Sequence, residues 1–238
     1  MVMAILGSLA GLSSCSKSDK TCCENPKEFA LVTDVVPDVI LEMRYFGTYN
    51  FTGTRIDGYE QPIALLTKEA AKALKEVSDD VKARGYRLKI YDAYRPQRGV
   101  EHFLCWAQEP DTLMKPYFYP MFSKAELFEK EYICKKSGHT RGSTVDLTLF
   151  DMKTEKEVDM GGTFDWFGEE SHPDFCAPDM KFQEGGKLTR QQFENRMLLR
   201  EAMLRHGFKP FPTEWWHFTL ENEPYPDTYF DYPVRWKE

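Results

Sequence analysis

At Gly85 the apolar pattern changes period, and that break limits the fold more than any other feature of the sequence. Upstream, Ala70, Leu74, Val77 and Val81 recur at the roughly 3.6-residue spacing of one helix face, with Thr67 placed to cap the start and Gly85 to end it. Downstream, Tyr86, Leu88 and Ile90 alternate with Arg87, Lys89 and Tyr91, the period of about two that marks a half-buried strand. A helix that runs straight into a strand argues for mixed architecture.

The remainder keeps that mixture. Pro96 suits the first turn of a second helix through about Gln108, with Val100, Phe103, Leu104 and Ala107 as its apolar stripe. The pattern predicts a third helix over Lys124–Lys135, a short strand over Val145–Phe150 and a long helix over Leu188–His206 that Gly207 terminates. Glu214–Leu220 reads as a last strand. Helices and strands do not alternate as regular βαβ units, so the fold class is α+β. With 238 residues, no internal repeat and no linker, one domain over residues 27–238 is the expectation.

The N-terminus reads differently. Met1–Ser14 carries no charged side chain and is shorter than the roughly 20 apolar residues of a membrane-spanning helix. It resembles the apolar core of a secretory signal, and Leu12-Ser13-Ser14-Cys15 resembles a bacterial lipoprotein cleavage box in which Cys15 is acylated. No Lys or Arg precedes the apolar run, which leaves the α-amino group as its positive charge. Residues 15–26 then form a polar tether, and the expected location is exported and lipid-anchored in the cell envelope. Cys22, Cys23, Cys105, Cys134 and Cys176 contain no C-x-x-C pair, which argues against a structural zinc knuckle. Their pairing is not legible from sequence. A net charge of −7 without a long basic run argues against nucleic acid as the partner. Oligomeric state is open, a homodimer included.

Five histidines limit the possible chemistry: His102, His139, His172, His206 and His217. No H-E-x-x-H helix is present. What stands out is Ser137-Gly138-His139-Thr140-Arg141-Gly142-Ser143-Thr144-Val145-Asp146, and much later Glu214-Trp215-Trp216-His217. Spacing alone does not make these ligands. In an ideal strand, Glu214 and His217 would even point to opposite faces, so a shared site requires a bend or bulge at Glu214. His102, on a helix, and His206, near a helix C-terminus, read as structural.

The two segments match S-x-H-x-x-G-x-x-x-D and E-x-x-H of the zinc peptidases that include D-Ala-D-Ala dipeptidases, D-Ala-D-Ala carboxypeptidases and hedgehog-like domains. Within that group the sequence resembles the VanX-type D-alanyl-D-alanine dipeptidases. The resemblance extends to Asn50-Phe51-Thr52-Gly53, Asp57-Gly58-Tyr59-Glu60, Asp92-Ala93-Tyr94-Arg95-Pro96, Met160-Gly161, Phe164-Asp165 and Glu223-Pro224-Tyr225-Pro226. It runs in order from about Asp34 to Val234.

This resemblance implies a mainly antiparallel central sheet flanked by helices, with one Zn²⁺ in a cleft on the sheet. The implied ligands are His139, Asp146 and His217, with Glu214 as general base and Arg95 facing the tetrahedral intermediate. Asp165 would bind the ammonium of a small dipeptide; Asp151 and Asp159 compete for that role, and only Asp165 follows Phe164 as the motif requires. Ser137 would hydrogen-bond the substrate backbone or carboxylate. The nearest alternative is a D,D-carboxypeptidase or endopeptidase acting on longer cell-wall peptides. A non-catalytic zinc-containing wall-binding module is the reading from a different class, and the presence of both Glu214 and Arg95 argues against it.

Overall fold

The structure, a computed structural model, describes residues 25–173, 175 and 188–237. The apolar segment Met1–Ser14, Cys15, and the tether up to residue 24 lie outside the described residues, as do Cys22, Cys23 and Cys176. Cys105 and Cys134 are free and exposed.

The strands are β1 (Phe29–Leu31), β2 (Ile40–Leu41), β3 (Leu65–Thr67), β4 (Tyr86–Asp92), β5 (Thr144–Asp151), β6 (Lys156–Glu157), β7 (Phe208–Phe211) and β8 (Glu214–Leu220). The helices are α1 (Val32–Val35), α2 (Lys68–Lys82), α3 (Gln97–Trp106), α4 (Lys115–Phe118), α5 (Lys124–Glu129) and α6 (Arg190–Arg205). Among the described residues, the main sheet runs β2-β4-β5-β8-β7, with β6 hydrogen-bonded to β5. Only the β2–β4 pair within it is parallel. β1 and β3 form a separate antiparallel pair. This is the expected α+β fold with a mainly antiparallel sheet.

α2 forms for the reasons legible in its sequence. Thr67 Oγ1 accepts from the Ala70 amide, and Ala70, Leu74, Val77 and Val81 are fully buried. Each such Leu or Val contributes about 1.5–3 kcal/mol by leaving water. α2 packs on β4 and α6, and α6 also packs on β7. α6 begins at Arg190, not Leu188, because Thr189 and Gln192 close a capping box, leaving Leu188 buried ahead of it. The expected helix over Lys124–Lys135 stops at Glu129, with Glu131 in the left-handed region at φ 61°. The turn that follows carries the chain toward the site. β7 escapes the alternation rule because Pro210 interrupts it; the proline is tolerated because β7 is an edge strand.

Two irregularities decide what the sheet presents. The β4–β5 register shifts between Ile90 and Asp92, so that Asp92 stands opposite Asp146. The β7–β8 register shifts between Pro210, opposite Phe218, and Phe211, opposite Glu214. The bulge in β8 therefore spans Trp215, Trp216 and His217. Asp146 in turn pairs with His217. Asp92, Asp146 and His217 thus form a row across three neighbouring strands.

Candidate active site

His139 enters from the short 3-10 turn Gly138–Arg141, between Ser137 and β5. Ser137 Oγ accepts from the His139 amide at 3.2 Å and fixes the entry. Gly142 closes the turn at φ 80°, where a Cβ would lie 2.5 Å from the Phe29 ring, so neither the conformation nor the space admits a side chain. His139 is 1% exposed. Its Nδ1 lies 2.7 Å from the Ala93 carbonyl oxygen, which can only accept, so Nδ1 is the donor there and Nε2 is the nitrogen turned toward the other two side chains.

Three side chains converge there. His139 Nε2 is 3.2 Å from Asp146 Oδ2 and 3.3 Å from His217 Nδ1, and His217 Nδ1 is 3.1 Å from Asp146 Oδ1. One ligand atom from each lies within 4.8 Å of the others. Asp146 Oδ1 is buried without a hydrogen bond of acceptable geometry. Burial opposes ionisation of Asp146, yet the two imidazoles outweigh it and hold the carboxyl below the usual carboxylate range. Burial likewise opposes a charged His217, while Asp146 and Glu214 win and raise it to about 9. The cluster attracts a cation. Two nitrogens, a carboxylate oxygen and an orphaned lone pair fit a small N/O-ligated metal ion such as Zn²⁺, with room for a further ligand from the cavity.

Glu214 Oε2 lies 3.2 Å from His217 Nδ1. The requirement placed on Glu214 by strand geometry is met by the β8 bulge. Arg95 is buried beside the cluster, its Nε and Nη2 donating to Asp92 Oδ2 at 3.0 and 2.8 Å. Tyr45 and Phe103 flank the guanidinium at 4.8 and 5.0 Å. Asp165 is 4% exposed and adopts φ 61°. Its Oδ2 accepts from Tyr45 Oη at 2.9 Å. Burial first, and then the negative charge of Asp146, push its carboxyl well above the ordinary range. A buried carboxylate facing other carboxylates is stabilised by any cation that reaches it.

All seven predicted side chains, Ser137, His139, Asp146, Glu214, His217, Arg95 and Asp165, line one cavity of about 330 Å³. Its walls include Tyr132 and Cys134 from the turn after α5, and Phe211 of β7. The competitors Asp151 and Asp159 lie elsewhere, in the surface depression beside β6 and α6. His102 contacts Asp57 and Thr54, His206 faces Glu76 and Asp80, and neither lines this cavity.

Sequence reasoning gave no role to Asp92. Fully buried, it accepts from Tyr59 Oη at 2.6 Å as well as from Arg95, and its Oδ2 lies 3.6 Å from His139 Nδ1. It stands between the arginine and the histidine. An acidic residue three positions before Arg95 at a strand end was the available signal. Tyr45 had none, since its approach depends wholly on tertiary packing.

A buried His-Asp-His cluster with a glutamate beside it, open to a small cavity on an antiparallel sheet, defines a hydrolase of the metallopeptidase class. The chain belongs to the D-ala-D-ala dipeptidase family, whose family model matches residues 25–235. It is 39% identical over 207 residues to the D-alanyl-D-alanine dipeptidase of Enterococcus faecalis, covering 87% of this chain and 98% of the relative. The D-alanyl-D-alanine dipeptidase of Streptomyces coelicolor is 39% identical over 208 residues, with the same coverage of both chains. That of Escherichia coli is 33% identical, covering 78% and 81%.

Proposed function

We propose that this chain hydrolyses the dipeptide D-alanyl-D-alanine to two D-alanines, with one Zn²⁺ held by His139, Asp146 and His217. The bound ion would supply a Lewis acid that polarises the peptide carbonyl and acidifies a water molecule. Glu214 would accept the proton of the attacking water and then deliver it to the leaving amine. Arg95, oriented by Asp92 and kept charged, would stabilise the oxygen on which negative charge develops. Ser137 would hydrogen-bond the substrate backbone or carboxylate.

The observation that carries the substrate reading is Asp165, a buried carboxylate in the same cavity as the histidine cluster. A free substrate ammonium is the cation that would satisfy it, and it sets the length of peptide accepted at the amino end. Hydrolysis of free D-Ala-D-Ala compared with its N-acetyl form tests this. A strong preference for the free amine is expected; equal cleavage of both would instead favour a carboxypeptidase or endopeptidase of longer wall peptides.

The Met1–Ser14 segment and the Leu12–Cys15 box support export and lipid anchoring at Cys15. An anchored enzyme outside the cytoplasm meets D-Ala-D-Ala released from the cell wall, not the pool that feeds wall assembly. Scavenging or turnover of wall peptides is the role that fits that location.

A further inference from the structure

The loop that carries Asp165 is clamped at both ends by one buried side chain that the chemistry above does not use. Arg196 of α6 is 2% exposed. Its Nε donates to the Met160 carbonyl at 2.6 Å and its Nη1 to the His172 carbonyl at 3.1 Å. Those carbonyls bracket the segment in which Asp165 holds its left-handed conformation. The same guanidinium lies 5.6 Å from the ring of Trp215, the residue after Glu214 on β8. At Gly162 a Cβ would lie 3.5 Å from Arg196 Nη2, so the backbone runs close against the arginine. Neighbouring residues of α6 reinforce the near end: Asn195 donates to the Asp159 carbonyl and Gln192 to the Asp159 carboxylate.

We infer that Arg196 is a positioning residue that sets Asp165 in place relative to Glu214, and through it the enzyme's demand for a free substrate ammonium. A guanidinium is suited to this because its planar fork can reach two carbonyls at fixed separation while stacking on an aromatic ring, and an ammonium cannot do all three. A non-glycine residue at positive φ persists only where surrounding structure over-determines it, and the two carbonyl contacts supply that constraint. The inference rests on the reading of Asp165 as the ammonium site.

The test is a double-mutant cycle between Arg196→Lys and Asp165→Asn, read as the ratio of kcat/KM for free over N-acetylated D-Ala-D-Ala. Arg196→Met is run in parallel, and thermal unfolding and metal content are measured on every variant. Arg196→Lys should lower the ratio about tenfold, mostly through a higher KM for the free dipeptide, with metal content unchanged. Arg196→Met should lower it further if it folds; the lysine variant suffices if it does not. In the Asp165→Asn background neither change should reduce the ratio again. The inference is overturned if Asp165→Asn abolishes the preference while the Arg196 variants leave it intact, or if the two losses multiply. If Asp165→Asn itself leaves the preference unchanged, the ammonium reading falls and the inference falls with it.

Discussion

Glu214 Oε2 stands 3.2 Å from His217 Nδ1, a contact between two residues three apart in one strand that a regular pleat would place on opposite faces. The bulge over Trp215–His217 makes the contact, and with it a carboxylate beside the cluster that is not one of its three converging side chains. Glu214→Gln preserves shape and removes the ability to take a proton. Turnover is expected to fall about 10²- to 10⁴-fold with metal content unchanged, measured by steady-state kinetics alongside elemental analysis. Retained turnover would move the base elsewhere.

Asp92 is held by Tyr59 and in turn holds Arg95, all of them buried. Removing one partner of a buried pair leaves the other charge uncompensated, so Asp92→Ala should destabilise the protein by about 3–5 kcal/mol in urea unfolding. Among molecules that remain folded, kcat should fall more than KM rises, because Arg95 acts on charge that develops in the transition state. A loss confined to KM would contradict its placement.

Asp165 trades stability for function, and the sign of that trade is testable. Its folded carboxyl lies well above the ordinary range through burial and the charge of Asp146. Such a group favours folding fully below its unfolded pKa, and that contribution is lost as pH rises toward the folded value. Asp165→Asn cannot ionise, while its amide oxygen can still accept from Tyr45. With both proteins stripped of metal, the variant's Tm should match wild type near about pH 4 and exceed it increasingly toward neutral pH. Calorimetry across that range checks it, and a margin that shrinks with rising pH would refute it.

The proposed lipid anchor at Cys15 is open to direct test. Wild type expressed with its own N-terminus should fractionate with membranes, and Cys15→Ala should release it from the membrane fraction. A soluble, cytoplasmic wild type would reopen the cytoplasmic pool of D-Ala-D-Ala as the substrate.

The elements legible in the sequence were those whose periodicity and packing agree: α2 between Thr67 and Gly85, β4 after it, and α6 before Gly207. β7 was not, because Pro210 breaks the alternation and is permitted only by an edge position that topology decides. The end of α5 was missed because Glu131 turns into a left-handed conformation that its residue type does not announce. The motifs pointed to seven side chains that the fold brings to one cavity, and strand geometry set the condition of a bend or bulge at Glu214, which β8 meets. Asp92, Tyr45 and Arg196 were not legible as site supports. Each acts through contacts between segments far apart in the chain, for which local sequence carries no signal.

The proposed hydrolysis of D-Ala-D-Ala depends on a metal ion held by His139, Asp146 and His217. The direct measurement is D-alanine release by the purified chain before chelation, after chelation and after zinc is restored, with metal counted at each stage. About one zinc per chain is expected, with turnover lost with the metal and recovered with it. Undiminished release of D-alanine from metal-free protein would contradict it.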